Sequence, residues 1–189
     1  DPLRHELGDA TRVLVVPDGE LALLPFAALP EDADRGAPRF VGARIEFATL
    51  PFAAAPPRWT DPAAPVLLVG RVLADATGAF PELPRGAAEL DALSELWRDT
   101  SPTVLAGADA RPAFFAGDAL SRFGTIHLAV HAVASSRDPR RCAVILSGGE
   151  RLTLDALEHL ELGPALVVLS GCRTGEGELV PGEGVVGLG

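Results

Sequence analysis

The 189-residue sequence contains no Lys, Asn, Gln, Tyr or Met, and only two cysteines. Each shortage excludes something. Without lysine there is no P-loop, which needs that side chain at the nucleotide phosphates. No apolar run approaches the ~20 residues of a membrane-spanning helix. Basic side chains are too few to balance the acidic ones. The net charge of −10 therefore argues against non-specific nucleic-acid binding and against docking on anionic membranes. Cys142 and Cys172 form no Cys-x-x-Cys pair, so a disulfide framework is not expected and a reduced, cytoplasmic setting is. Metal chemistry lacks its ligands too: His127, His131 and Cys172 have no fourth partner and no helical His-Glu-x-x-His context. No cofactor is expected. The all-arginine usage matches a GC-rich, bacterial coding bias. With Asp1 first and Gly189 last, the chain is expected to be trimmed at both ends.

What is present is apolar residues, at 48%, in short runs separated by turn formers. Arg12–Val16 reads as a buried strand, followed by a turn at Pro17–Glu20. Leu21–Leu29 predicts a short strand and a helical turn begun by Pro25, and Arg44–Leu50 a further strand with Ile45, Phe47 and Thr49 alternating. The Pro- and Ala-rich stretch from Pro51 to Pro65 is the expected connector. It divides a small strand-rich N-terminal subdomain, residues 1–60, from a core, residues 61–189.

In the core, strand and helix alternate. Val66–Gly70 and Thr103–Leu105 read as strands. Arg85–Arg98 reads as a helix with Leu90, Leu93, Leu96 and Trp97 inward, and Arg111–Phe123 as a second. Ile126–Ala132 is a strand ending at a histidine, and Cys142–Leu146 a strand with its cysteine in the core. Thr153–Leu160 is a helix capped by Thr153, and Leu166–Cys172 a buried strand ending at a cysteine. Such alternation predicts an α/β fold with a mainly parallel sheet covered by helices on both faces.

Functional groups in open parallel sheets collect at the carboxyl ends of strands. By this reading His131 and Cys172 both lie there, 41 positions apart, with room for one more strand and a crossover helix. A free thiol, pKa about 8.5, is only slightly ionised at neutral pH, and an adjacent imidazole raises its thiolate fraction. The thiolate attacks a carbonyl and the imidazolium protonates the leaving amine. Small residues Ser170 and Gly171 let a substrate backbone approach, and the backbone N–H groups of Cys172 and Ala132 are candidate oxyanion donors.

At these residues the chain resembles the CHAT family, caspase-like peptidases often fused to helical repeats. The resemblance rests on His127-Leu-Ala-Val-His131, on Val167-Val-Leu-Ser-Gly-Cys-Arg-Thr-Gly175 and on Gly182-Glu-Gly184. Val15-Val-Pro-Asp-Gly-Glu-Leu21 with Leu24-Pro-Phe26 adds an N-terminal signature. It implies a caspase-like three-layer α/β/α sandwich, a catalytic His131–Cys172 dyad, and cysteine endopeptidase activity on a protein or peptide substrate. It also implies a further helix and strands beyond Gly189 to complete the substrate groove. The chain departs from the family at Ala132, where Gly is usual after the histidine, and at Arg71, where Asp or Asn commonly follows the glycine ending the first core strand.

Other readings stand beside this one. A catalytically silent module that binds partners, or transmits a signal from fused repeats, fits the same motifs. His127, four residues before His131 and on the same strand face, is expected to be a satisfied core histidine. His5 and His159 are expected at the surface. A phosphatase loop would need Arg where Glu178 stands. The acidic stretch Glu176–Glu183 reads as a solvated loop. Arg71, at the end of the first core strand, either reads an acidic P1 side chain or is a solvated loop residue or a local partner of Asp75, while Glu176 and Glu178 favour a basic P1 instead.

Overall fold

A computed structural model describes residues 7–30, 39–50, 63–135, 138–163, 166–171, 177–180 and 184–187. By its contacts the chain divides into Asp1–Pro56 with Leu179–Val185, and Pro57–Glu178 with Val186–Gly189. Most of the Pro- and Ala-rich connector, residues 51–62, lies outside the described residues.

In the first unit, Arg12–Val15 (β1) and Glu46–Thr49 (β2) pair in parallel with Arg12 opposite Glu46. The Arg12 guanidinium reaches one Glu46 oxygen from two nitrogens, at 2.9 and 2.8 Å. Ile45 is buried and Phe47 stacks on Phe26 at 6.3 Å. The expected burial of β1 is only partial, because its residues alternate between exposed and half-buried. No strand forms in Leu21–Leu29. Two 3-10 turns, Gly19–Leu23 and Phe26–Ala28, take its place, the second directly after Pro25. A third turn, Val41–Ala43, approaches so closely that a Cβ on Gly42 would sit 2.7 Å from the Ala27 carbonyl oxygen.

The second unit is mixed α/β. Its first strand, Val66–Val69 (β3), is buried throughout, as four consecutive apolar residues in a parallel sheet should be. Pro84–Leu96 (α1) follows, with Pro84 opening the helix at a position where no N–H is needed. Thr103–Leu105 (β4) and Thr125–Leu128 (β5) then pair in parallel on either side of β3. Alternate β3 residues face opposite ways. Val66 and Leu68 pack under Leu90, Leu93 and Trp97 of the α1 region, while Leu67 and Val69 join the larger core with Phe115, Leu120, Phe123, Ile126 and Val144. Truncating a side chain as buried as Leu68 to Ala costs about 2–5 kcal/mol. Leu96, expected inward, is 71% exposed.

The second expected helix does not form. Pro112–Phe115 makes one 3-10 turn, Ala116 is extended, and Gly117 takes a φ of +71°. The aromatic and leucine side chains of this stretch still enter the core, but from turns. The same face is covered by three antiparallel strands, His131–Val133 (β6), Ala143–Ile145 (β7) and Arg151–Thr153 (β8). Leu154–Glu158 (α2) follows, its first turn capped by the Thr153 hydroxyl, which accepts from the Ala156 N–H at 3.4 Å. Cys142 is buried and unbridged, its sulfur accepting from the Ser135 N–H at 3.3 Å.

Leu166–Leu169 (β9) pairs in parallel with β5, so the described parallel sheet runs β4-β3-β5-β9. It is the outer strand of that sheet rather than a buried one, with Leu166 52% and Val167 41% exposed. Gly177–Val180 (β10) and Gly184–Gly187 (β11) pair with each other, so part of the expected acidic loop is strand.

Candidate active site

The run Ile126–Ala132 is not one strand. β5 stops at Leu128, and after Ala129 and Val130 the chain enters β6 in the other sheet at His131. Room for this departure comes from two glycines. A Cβ on Gly70 or on Gly86 would lie 3.3 Å from the Ala129 carbonyl oxygen. His127 and His131 therefore belong to different sheets, not to one strand face. The Ala129 N–H donates to Val69 at 2.8 Å and the Ser170 N–H to Leu128 at 2.9 Å, so β3, β5 and β9 end side by side.

His131 is half-buried. Its Nε2 lies 2.7 Å from the carbonyl oxygen of Pro81, and its ring is 5.7 Å from that of Phe80, tilted by 55°. A carbonyl oxygen only accepts, so Nε2 is the donor, and in the tautomer this contact selects Nδ1 is the basic nitrogen. Ala132 sits within β6 opposite Val144, in extended backbone that alanine adopts without strain.

Cys172 lies outside the described residues, which end at Gly171 on this stretch. Two residues before it, Ser170 donates from its hydroxyl to Glu89 Oε2 at 3.0 Å. The other oxygen of Glu89 is 2.8 Å from His127 Nε2. One carboxylate on α1 thus ties the buried His127 of β5 to the end of β9. His127 is a satisfied core histidine, as expected, though its partner was not foreseen. The signal was there: Glu89 stands four residues before Leu93 on the inward stripe of α1, an acidic group where an apolar one is usual.

Arg71 follows β3 with a φ of +49°, a region that Asn, Asp and Gly occupy more readily than Arg. Its carbonyl accepts from the Gly107 N–H at 3.0 Å. Its guanidinium pairs with Asp91 of α1, not with Asp75, and both side chains are about half exposed. Asp75 instead organises its own loop. It accepts from the Thr77 N–H at 3.1 Å, from the Thr77 hydroxyl, and from the Phe80 N–H at 2.6 Å. The Thr77 hydroxyl and the Phe80 N–H hold its carboxyl below the usual carboxylate range.

Among the described residues no group of three or more His, Cys, Asp or Glu is arranged to hold a metal ion, and no helix is long and apolar enough to cross a membrane. The family model of the CHAT domain matches residues 1–189, the whole chain. The chain belongs to the CHAT family. CHAT is a domain related to caspase-like peptidases. No curated protein matches the chain. In this CHAT domain, the histidine of the HLAVH motif that meets the loop before α1 is His131, and the one inside the sheet is His127.

Proposed function

We propose that this CHAT domain is a cysteine endopeptidase with the caspase-like three-layer fold, and that His131 and Cys172 are its catalytic pair. The observation that carries the reading is the 2.7 Å contact of His131 Nε2 with the Pro81 carbonyl. With Nε2–H held by Pro81, the basic Nδ1 is the nitrogen available to a thiol. Cys172 would follow Ser170 and Gly171 off a strand adjacent to β5. The thiolate sulfur bonds to the scissile carbonyl carbon and the π electrons move to oxygen. The N–H groups of Cys172 and Ala132 donate to that oxyanion. The His131 imidazolium gives its proton to the departing amine as the C–N bond breaks. Water, deprotonated by His131, then releases the acyl group from sulfur.

Arg71 borders a pocket of about 290 Å3 with Val72, Glu82, Leu83, Pro84 and Ala87. In this reading an acidic P1 side chain competes with Asp91 for the guanidinium. The protein works in the cytoplasm on a protein or peptide substrate, with helical repeats fused or associated. Incubating the full-length protein with an electrophilic peptide probe tests the assignment. Labelling that vanishes in Cys172→Ala supports it. Undiminished labelling removes it. A folded protein whose Cys172 never labels is instead a silent CHAT module, a reading favoured by Ala132 in place of the family's usual glycine.

A further inference from the structure

We propose that Asp75 is a positioning residue that sets the tautomer and orientation of His131 through Phe80 and Pro81. The inference rests on the reading of His131 as the base. Both backbone polar groups of Phe80 end on Asp75. The Phe80 N–H donates to the carboxylate at 2.6 Å, and the Asp75 N–H donates to the Phe80 carbonyl at 3.3 Å. The next residue is Pro81, whose ring locks φ. Few torsions are left to vary before the Pro81 carbonyl, whose oxygen accepts from His131 Nε2–H at 2.7 Å. The Phe80 side chain, carried by the same clamp, flanks the imidazole.

The loop and the histidine share one frame. The Leu73 N–H donates to the Ser147 hydroxyl at 3.0 Å, and the Gly148 N–H returns to the Leu73 carbonyl at 3.0 Å. Ser147 is buried, and its hydroxyl donates in turn to Gly107 at 2.5 Å. Gly149, at φ +80°, lets Asp75 approach, since a Cβ there would lie 2.7 Å from that of Asp75. These residues form the turn after β7, and β7 pairs with the strand carrying His131, Ile145 opposite His131. The carbonyl and the imidazole are thus anchored to the same strand. Asp75 closes the loop between them.

The test reads the histidine itself. In protein labelled with 15N-histidine, long-range proton–nitrogen correlations distinguish the Nε2–H from the Nδ1–H tautomer. The wild type should show His131 as Nε2–H. Asp75→Ala should move His131 to averaged tautomers while the His127 signal stays in place and reports an intact sheet. Asp75→Asn, which keeps an acceptor for the Phe80 N–H, should restore the wild-type pattern. An unchanged His131 signature in Asp75→Ala, with His127 in place, overturns the proposal. If Asp75→Ala loses the His127 signal, the near-isosteric Asp75→Leu carries the test, since it fills the same space without an acceptor for the Phe80 N–H. Movement of His131 toward mixed tautomers then supports the proposal, and a wild-type signature overturns it. Probe labelling of Cys172 should slow about tenfold in Asp75→Ala and recover in Asp75→Asn. If the tautomer shifts but labelling is indifferent to His131, the positioning role stands and the peptidase reading falls.

Discussion

Two histidines four positions apart meet opposite surroundings. His127 lies inside the parallel sheet, is 7% exposed, and faces the carboxylate of Glu89. His131 begins an antiparallel strand, half-buried, and faces a backbone carbonyl and an aromatic ring. A carboxylate partner turns the first into a tie between β5, α1 and the end of β9. A backbone carbonyl does something different for the second, since it accepts from Nε2 and so selects the tautomer whose basic nitrogen is Nδ1. The same side chain is a fastening in one place and, in the proposed peptidase, the base in the other.

Removing the fastening has the largest expected effect on stability. His127→Ala leaves the Glu89 carboxylate without its ring partner at the sheet, and should cost about 1–3 kcal/mol of stability in chemical denaturation. His131→Ala, at the half-buried site, should cost less than about 1 kcal/mol. Equal losses would mean that the two sites are structurally alike.

Acid sharpens the contrast more gently. The Asp75 carboxyl is held below 3.8 by the Thr77 and Phe80 donors, so the folded state favours its ionised form. Its contribution is present above 3.8 and is lost as pH falls through the lower folded value. The melting-temperature gap between wild type and Asp75→Ala should therefore be open near neutrality and close in strong acid. A gap that persists in acid would show that the carboxylate's charge does not hold the loop.

The smallest effect belongs to His159, an exposed histidine with a third kind of partner. The Asp155 carbonyl, 2.6 Å from Nδ1, and then the Asp155 charge raise its pKa above 6.5. Its stabilisation is complete below 6.5 and is lost as pH rises through the raised folded value. His159→Ala should melt slightly below wild type in mild acid and together with it in alkali. The reverse order would contradict the sign.

Much of the parallel sheet is legible in the sequence because β3, β4, β5 and β9 are short apolar runs, and α1 because its leucines recur at helical spacing. The change of sheet after β5 is not legible. Ala129 and Val130 are buried at 1% and 3%, so the apolar pattern continues unbroken through the turn. Apolar spacing from Phe114 to Leu120 suits a helix equally well, and only Pro112 and Gly117 mark the turns that form. At the candidate site, His131 announces itself by residue type. The Pro81 carbonyl that orients it has no side-chain signature, and Asp75 acts through backbone atoms five residues away.

In the proposed peptidase His131, not His127, serves Cys172. The rate at which an electrophilic peptide modifies Cys172 in His131→Ala and in folded His127→Ala separates the two histidines. A general base contributes about 10²–10⁴-fold. His131→Ala should lose rate by about that factor, with His127→Ala staying within about tenfold of wild type. Modification at the wild-type rate in His131→Ala would contradict that assignment.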